Sequence, residues 1–577
     1  MTAWAVAVPL WFAALVPGLL ALNVAPSPTL FNQAAAWIAW GIVAAAAIAG
    51  GAAPSWRDAG GATRALAAGL ALTGLAALSS WRVGSLPAAL ALSAAGTCVA
   101  AILVAWLGAA MAHSRTLPSV WFGAWLAAGL ASAAVACVQV FAAPWADGDW
   151  IARSNAAGRA VGNLRQPNHL ASLLVWGAVA LVPLVESGWL SRSTGRLVAA
   201  LAAMAVLILA VMLTGSRTGL VGVAVLVLWA LVDRRLSRFS RALLAATPLL
   251  FALAWALVDW WSTGQPGPAI GTAQRLGQDD VTSGRVAIWR DALRLLAMQP
   301  WVGVGFGEFN LAWTLTESPD RSPQLFDHTH NMPLQLWVEL GLPLGTLVLG
   351  LLGWALWQAW SRARAVEDAA AGAAHRAAFV MVLLMGLHSQ FEYPLWYAHF
   401  LLPTAFAWGW CLAAQAAAGP QPPAARHASW PAWCGMALVI GGSLMIWDFN
   451  RVSTVFAPDD NGTPLAQRIR DGQRSWFFAH HADYARITAL EDVAPAATAD
   501  FRRASHYLLD TRLLIAWARA YAREGDLDRA RWIAARLREL RQDSARPFFA
   551  PCDDPAVADK PFQCTPPARS FSWKDFR

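Results

Sequence analysis

Residues 327 to 341 read DHTHNMPLQLWVELG and set Asp327, His328 and His330 directly ahead of an apolar run. A neutral imidazole can take a proton from a hydroxyl near neutral pH, so a general base is the first chemistry this pattern offers. Three other polar clusters interrupt apolar surroundings in the same way. Arg165, Gln166, Asn168 and His169 fall within GRAVGNLRQPNHLA, Arg217 lies in TGSRTG, and Arg285, Arg290 and Arg294 punctuate TSGRVAIWRDALRLLAMQPWVGVGFGEFN. Opposite the histidines stands HSQFEYPLWY, residues 388 to 397, with Tyr393 at its centre.

The elements that must position these residues are membrane helices. The chain has 577 residues, of which 57% are hydrophobic and 14% charged, with 34 Trp against 5 Tyr. That length exceeds one soluble core, and the apolar residues come in blocks of about 20, enough to cross a bilayer. Thirteen spans are expected, at 3–24, 32–53, 64–80, 87–112, 119–143, 168–187, 197–214, 219–232, 242–261, 332–359, 376–391, 395–417 and 431–448. The first has neither a basic leader nor a small-residue cleavage site and reads as a retained helix. Arginines concentrate in the short even-numbered loops, including Arg57, Arg115, Arg192, Arg234, Arg235, Arg238, Arg362, Arg364 and Arg426. The short odd-numbered loops hold only Arg82 and Arg217. The positive-inside rule therefore predicts a cytoplasmic N-terminus, external loops at about 144–167 and 262–331, and an external tail. All four polar clusters then sit on the outer rim, where ionisable groups are expensive and therefore functional candidates.

The net charge of +8 divides between topology signals and an Arg-rich tail, and nothing in it points to nucleic acid. The tail, 449–577, reads as helical. LLIAWARAYAREGDLDRARWIAARLREL, within 511–541, gives two amphipathic helices broken at Gly525-Asp526 and resembles one tetratricopeptide hairpin. Arrays of that type need about three repeats, so the hairpin is expected to pack on other tail helices or on the membrane domain. The stretch from Pro547 to Arg577 is expected to be irregular. Cys98, Cys137, Cys411 and Cys434 lie in spans, where a thiol is a small hydrophobe. Cys552 and Cys564 lie in the tail, where an external compartment permits a disulfide. In the longer loop, Ser283 can cap a helix from 284 to 298 whose Trp289, Leu293 and Leu296 can lie on the membrane.

Each polar residue also has a structural reading. Arg217 can be an interfacial anchor that snorkels to headgroups, Arg285 can pair with Asp279 or Asp280, and His330 can cap the following helix. His328, expected to be exposed one step earlier, suits a structural role. Tyr393 fits an aromatic belt, and Gln166 and Asn168 can brace a turn before a helix. Asp327, His328 and His330 offer metal-ligand types, but D-H-x-H lacks the i, i+4 pairing of the usual zinc helix. TGSRTG is not a strand-borne nucleophile elbow. The glycines of GVGFG follow a Pro-Trp turn rather than a strand, so they are not a dinucleotide fingerprint. Arginine forks bind phosphate oxygens bidentately and stay charged, so these residues suit a lipid-linked phosphate attacked by a hydroxyl.

TGSRTG, SGRVAIWRDALRLLAMQPWVGVGFGEF and HTHNMPLQLWVELG together resemble the family of bacterial O-antigen ligases and O-oligosaccharyltransferases, in which a His-Asn pair, here His330-Asn331, precedes a glycine, here Gly341. GNLRQPNHLA, EYPLWY and the helical tail resemble its protein-glycosylating branch. The resemblance covers about 120–415 and, more weakly, the tail. It implies an all-α polytopic membrane protein, a C-type glycosyltransferase of about 12–13 transmembrane helices over 1–448, with a small periplasmic helical domain over 449–577. It also implies residence in the bacterial inner membrane and an undecaprenyl-diphosphate-linked glycan as donor. Acceptors would be Ser or Thr of a pilin or other periplasmic protein, and neither metal nor cofactor would be needed. His330 then matches the essential histidine, Arg217 and Arg285 the diphosphate arginines, and Gln166 and Tyr393 residues of the protein-glycosylating branch. Arg165, Asn168, His328, Arg290 and Asn331 are expected to line the substrates. Alternative readings are ligation of glycan to lipid A core and glycan polymerisation. A transporter is a further alternative, although no internal repeat is visible and the ionisable residues avoid mid-membrane.

Overall fold

In lipid a backbone finds hydrogen-bond partners only within itself, so long runs of Ala, Leu, Val and Trp fold as helices. The computed structural model describes residues 3–49, 60–112, 114, 116–156, 158–263, 284–318, 320–413, 430–457, 462–490 and 495–577. It is 74% helix and has no strand among the described residues. The first ten helices are α1 (Ala3–Leu19), α2 (Leu30–Ala49), α3 (Gly61–Val83), α4 (Ala88–Met111), α5 (Leu117–Phe141), α6 (Pro167–Glu186), α7 (Thr194–Leu213), α8 (Arg217–Val232), α9 (Arg238–Ala245) and α10 (Thr247–Thr263). Then follow α11 (Arg285–Met298), α12 (Phe309–Leu315), α13 (Met332–Ala365), α14 (Ala369–His388), α15 (Ala398–Cys411) and α16 (Trp430–Phe456). Each of the thirteen expected spans falls on one of these helices, α9 and α10 serving as one. Among the described residues, ten segments are long and apolar enough to cross a bilayer, and α1 and α8 are shorter apolar helices. The chain is a multi-pass membrane protein.

Helix α6 is the axis of the bundle, with 94% of its apolar window buried. Close approach elsewhere depends on small residues: a Cβ at Gly409 of α15 would lie 1.7 Å from the Ala105 carbonyl of α4. Helix α13 breaks at Gly341, whose φ of 77° and ψ of 166° are open to glycine. The loop carrying GVGFG docks into this break. Val304 N–H donates to Val338 O (2.9 Å), Gly305 N–H to Glu339 O (3.0 Å) and Leu342 N–H to Pro300 O (2.7 Å). A Cβ on Gly341 would meet the Trp301 carbonyl at 2.4 Å.

The tail adds α17 (Leu465–Gly472), α18 (Ala479–Ala489), α19 (Phe501–Ala504), α20 (Thr511–Arg523), α21 (Leu527–Glu539) and α22 (Arg546–Asp553). Helices α20 and α21 form the expected hairpin, capped by Asp510 and Asp526, with Gly525 left-handed at the turn. The hairpin shares one apolar core with α11, α12 and the first turns of α13: Ile288, Leu295, Trp313, Leu334 and Val338 pack with Leu513, Trp517, Trp532 and Ile533. Fully buried Arg321 pairs with Glu539 at 3.2 Å across this contact, and Trp532 Nε1 donates to Leu315 O at 3.0 Å.

Three expectations change here. Trp289 and Leu296 turn into this shared core rather than onto lipid, leaving Leu293 exposed. The helix begins at Arg285 behind a left-handed Gly284, and the proposed cap Ser283 lies outside the described residues. The stretch from Pro547 to Arg577 contains most of α22 and two short 3-10 turns, because its aromatic residues Phe548, Trp573 and Phe576 are buried. Cys552 and Cys564 form a disulfide.

Candidate active site

Four helices start at the same end of the molecule, each with its own local reason to start there. Gln166, ahead of Pro167, accepts from His169 N–H and caps α6; Ser216 accepts from Gly219 N–H and caps α8. Gly284 precedes α11, and Asn331, ahead of Pro333, accepts from Leu334 N–H and caps α13. Side-chain caps satisfy amide groups that a helix start leaves open, and Pro fits the first turn. Asn331 therefore performs the capping that the sequence also allowed for His330. Gln166 braces the α6 start, as its structural reading has it.

These starts surround Glu392, in the turn between α14 and α15. Its Oε1 accepts from Arg285 Nη2 at 2.9 Å and from Asn168 Nδ2 at 3.0 Å, and its Oε2 meets His330 Nδ1 at 3.1 Å. Asn168 in turn accepts from the Ser216 hydroxyl at 2.6 Å, which ties in the turn that carries Arg217. Asn331 Nδ2 donates to Gln390 O at 3.2 Å. The four polar stretches singled out in the sequence thus meet at one carboxylate. Burial alone would raise the pKa of Glu392, but hydrogen bonding and charge from His330 together with Arg285 outweigh it and hold the group at about 2. The carboxylate is thus an anion under all ordinary conditions. In the neutral ring, an Nδ1–H donated to that anion leaves the lone pair on Nε2, the tautomer a proton acceptor requires.

His330 itself sits at φ 53°, a left-handed conformation that is rare for a residue with a side chain and characteristic of functional sites when surrounding contacts enforce it. Those contacts are explicit. Trp289 Nε1 donates to Thr329 O (2.9 Å) and Gln335 Oε1 accepts from Thr329 N–H (2.8 Å). His328 is buried, not exposed as expected. It is hydrogen-bonded to Asp327 and packed on the rings of His330 (4.1 Å) and Tyr393 (3.5 Å). Burial lowers its pKa more than Asp327 raises it, which favours the neutral ring. Tyr393 stands among these rings and meets the Tyr397 hydroxyl at 3.3 Å. Burial first, then the nearby Tyr397 and Asp327, push its phenol well above the usual range, making Tyr393 a neutral hydroxyl.

Other candidates lie outside this network. Arg165, left-handed at φ 57°, reaches Pro28 O at 3.4 Å. Arg290 is exposed and faces Asp320 at 3.8 Å. His169 is buried against Tyr397 and Phe400. Asp279 and Asp280, the partners the sequence offers Arg285, lie outside the described residues; the observed partner is Glu392. Glu392 lies within HSQFEYPLWY, where no role falls to it from sequence. Its signal was available: an acid in a short turn between two spanning helices is costly unless paired. His328, His330 and Glu392 also place one ligand atom each within 4.8 Å of one another. A cation there would compete with Arg285, which already neutralises the carboxylate.

Comparison with known proteins places three family profiles on these segments. One described as O-antigen ligase matches residues 202–349, which carry Arg217, Arg285 and His330. One described as virulence factor membrane-bound polymerase, C-terminal, matches 376–546, which carry Glu392 and Tyr393. One described as protein glycosylation ligase matches 160–184, which carry Gln166 and Asn168. A general O-oligosaccharyltransferase of Acinetobacter baylyi (strain ATCC 33305 / BD413 / ADP1) is 29% identical over 261 residues, covering 44% of this chain and 43% of that protein. A ComP-specific O-oligosaccharyltransferase of the same organism is 26% identical over 269 residues, 44% of each chain. The chain thus spans less than half the length of either relative. These matches fall on the O-antigen ligase and O-oligosaccharyltransferase family, with the curated relatives in its protein-glycosylating branch.

Proposed function

We propose, from this kinship with O-antigen ligases and O-oligosaccharyltransferases, that the protein transfers an oligosaccharide from an undecaprenyl-diphosphate carrier to Ser or Thr hydroxyls of acceptor proteins, on the periplasmic face of a bacterial inner membrane. The observation that carries the reading is Glu392, which binds His330, Arg285 and Asn168 together. The acceptor hydroxyl gives its proton to His330 Nε2 while its oxygen attacks the anomeric carbon, and the bond to the diphosphate breaks. Glu392 orients the ring and stabilises the imidazolium that forms. Arg285 spends Nη2 on Glu392, and its buried Nε has no partner among the described residues. In this reading it offsets, together with Arg217, the charge on the departing diphosphate. Diphosphate is already a good leaving group, so holding the two substrates in register supplies much of the acceleration.

The O-antigen ligase profile, which covers more of the chain than the protein glycosylation profile, supports a second reading in which the acceptor is lipid A core or another lipid-linked glycan. Purified protein, exhaustively chelated, should move glycan from the polyprenyl donor to an acceptor protein without added metal. Transfer to lipopolysaccharide core but to no protein would select the second reading. Activity that required a divalent ion would reject the metal-free mechanism and turn attention to His328, His330 and Glu392 as its ligands.

A further inference from the structure

The end of the bundle farthest from Glu392 carries a second polar feature. Helices α8 and α13 start at the site and α14 ends there, so Val232, Ala365 and Ala369 mark the opposite end. A groove of about 420 Å³ opens between these three helices. Its apolar wall includes Leu228, Val232, Trp360, Phe379 and Leu383, and its rim holds Asp233 with Arg234, Arg235, Arg364 and Arg376. Leu228 and Val232 are 58% and 57% exposed, which opens the groove sideways to lipid.

The charge here is not balanced. Asp233 is the one carboxylate among the lining residues, and it is already satisfied by Arg376 Nε at 2.5 Å and Trp229 Nε1 at 3.0 Å. The ion pair is buried, with side chains 7% and 9% exposed. Arg235 donates to the main-chain oxygens of Arg364 (2.6 Å) and Val366 (3.4 Å), contacts that position its guanidinium without neutralising it. Arg364 lies over the Trp360 ring at 5.1 Å. The neighbouring acids are turned elsewhere: Asp368 caps α14 by accepting from Ala371 N–H, and Glu367 lines a separate cavity. Arginines that served only as topology signals would not need to converge on an apolar slot. A ligand with an anionic head and an apolar tail satisfies both parts of the groove, and a bilayer supplies one.

We propose that this groove binds an anionic phospholipid, with its phosphate among Arg234, Arg235 and Arg364 and an acyl chain along Leu228, Val232 and Leu383. Basic pockets between membrane helices recognise phosphate headgroups in this way, through charge-assisted and bidentate hydrogen bonds. The site is separate from the Glu392 cluster and does not depend on the function proposed for it.

The test is native mass spectrometry of the full-length protein in detergent, titrated with phosphatidylglycerol, with phosphatidylethanolamine of the same chains, and with glycerol phosphate. Phosphatidylglycerol should bind preferentially, and glycerol phosphate should not substitute for it. Each arginine near an anionic headgroup contributes roughly fivefold, so Arg234→Gln with Arg364→Gln should weaken retention by about 25-fold. Leu228→Trp, which fills the groove and keeps every arginine, should weaken it too; Arg546→Gln in the exposed tail should not. Equal retention of the two phospholipids, full competition by glycerol phosphate, equal loss in the tail variant, or unchanged binding in both groove variants would overturn the proposal.

Discussion

Glu392 is the point at which replacements are most informative. Glu392→Gln keeps the shape of the side chain but leaves Arg285 uncompensated in a buried setting and no longer fixes the His330 tautomer. Losses of transfer on the order of 10²–10⁴ are expected, the range for disabling a general base or the group that orients it. The same variant has a pH signature in stability. A carboxylate held at about 2 in the folded protein, against about 4.3 when unfolded, contributes stability above its unfolded value and loses it as acid carries it through the folded one. The thermal stabilities of native protein and Glu392→Gln should therefore differ at pH 7 and converge as pH falls from about 4 towards 2. His330→Ala should abolish single-turnover transfer while donor still binds, with His328→Ala less impaired because His328 packs on the ring rather than accepting the proton. Near-normal transfer by His330→Ala at matched membrane levels would remove the base assignment. Arg217→Lys and Arg285→Lys keep charge and lose the planar fork, so each should slow transfer while the protein still inserts; lysine variants with native turnover would return both residues to anchoring roles.

Helix α13 is the element that connects the site to the rest of the bundle. Its first turns hold Asn331 and pack into the core shared with the tail, and its second half runs on through the bundle. The break between them requires Gly341, because an added methyl would meet the Trp301 carbonyl at 2.4 Å on a backbone at φ 77°. Gly341→Ala should cost about 1–3 kcal/mol from the backbone conformation alone and should also displace the segment bearing His330. Gly350→Ala, in the same helix with nothing within 4 Å of the added methyl, is the matched control. Thermal unfolding and transfer measured on both should separate them clearly, and two indistinguishable variants would show that the break tolerates movement.

Among the described residues, the two largest apolar cores border the site. The larger is the helix bundle; the smaller joins the tail to the segment carrying Arg285, so the tail holds one of the site's arginines in place from outside the bundle. Reporter fusions at Ala457 and Arg238 should report opposite compartments, periplasmic and cytoplasmic, as the arginine asymmetry predicts; the same compartment for both would discard the topology on which the proposed function rests.

The placement of the apolar helices and the tail hairpin were legible from sequence because each is a property of neighbouring residues. Span length and amphipathic period are local quantities. The histidine and arginine motifs were legible for the same reason, as short strings of unusual composition. What the sequence left open was which partners they take. Asn168 and Glu392 are 224 residues apart, Arg285 and Glu392 107, Arg321 and Glu539 218. Such pairings follow from how whole helices pack, and no local pattern encodes them. The burial of His328, covered by the rings of His330 and Tyr393, and the inward turn of Trp289 and Leu296 were missed on the same ground: a side chain reads as exposed, lipid-facing or core-facing only once the surface that covers it is known, and for Trp289 and Leu296 that is the core shared with the tail.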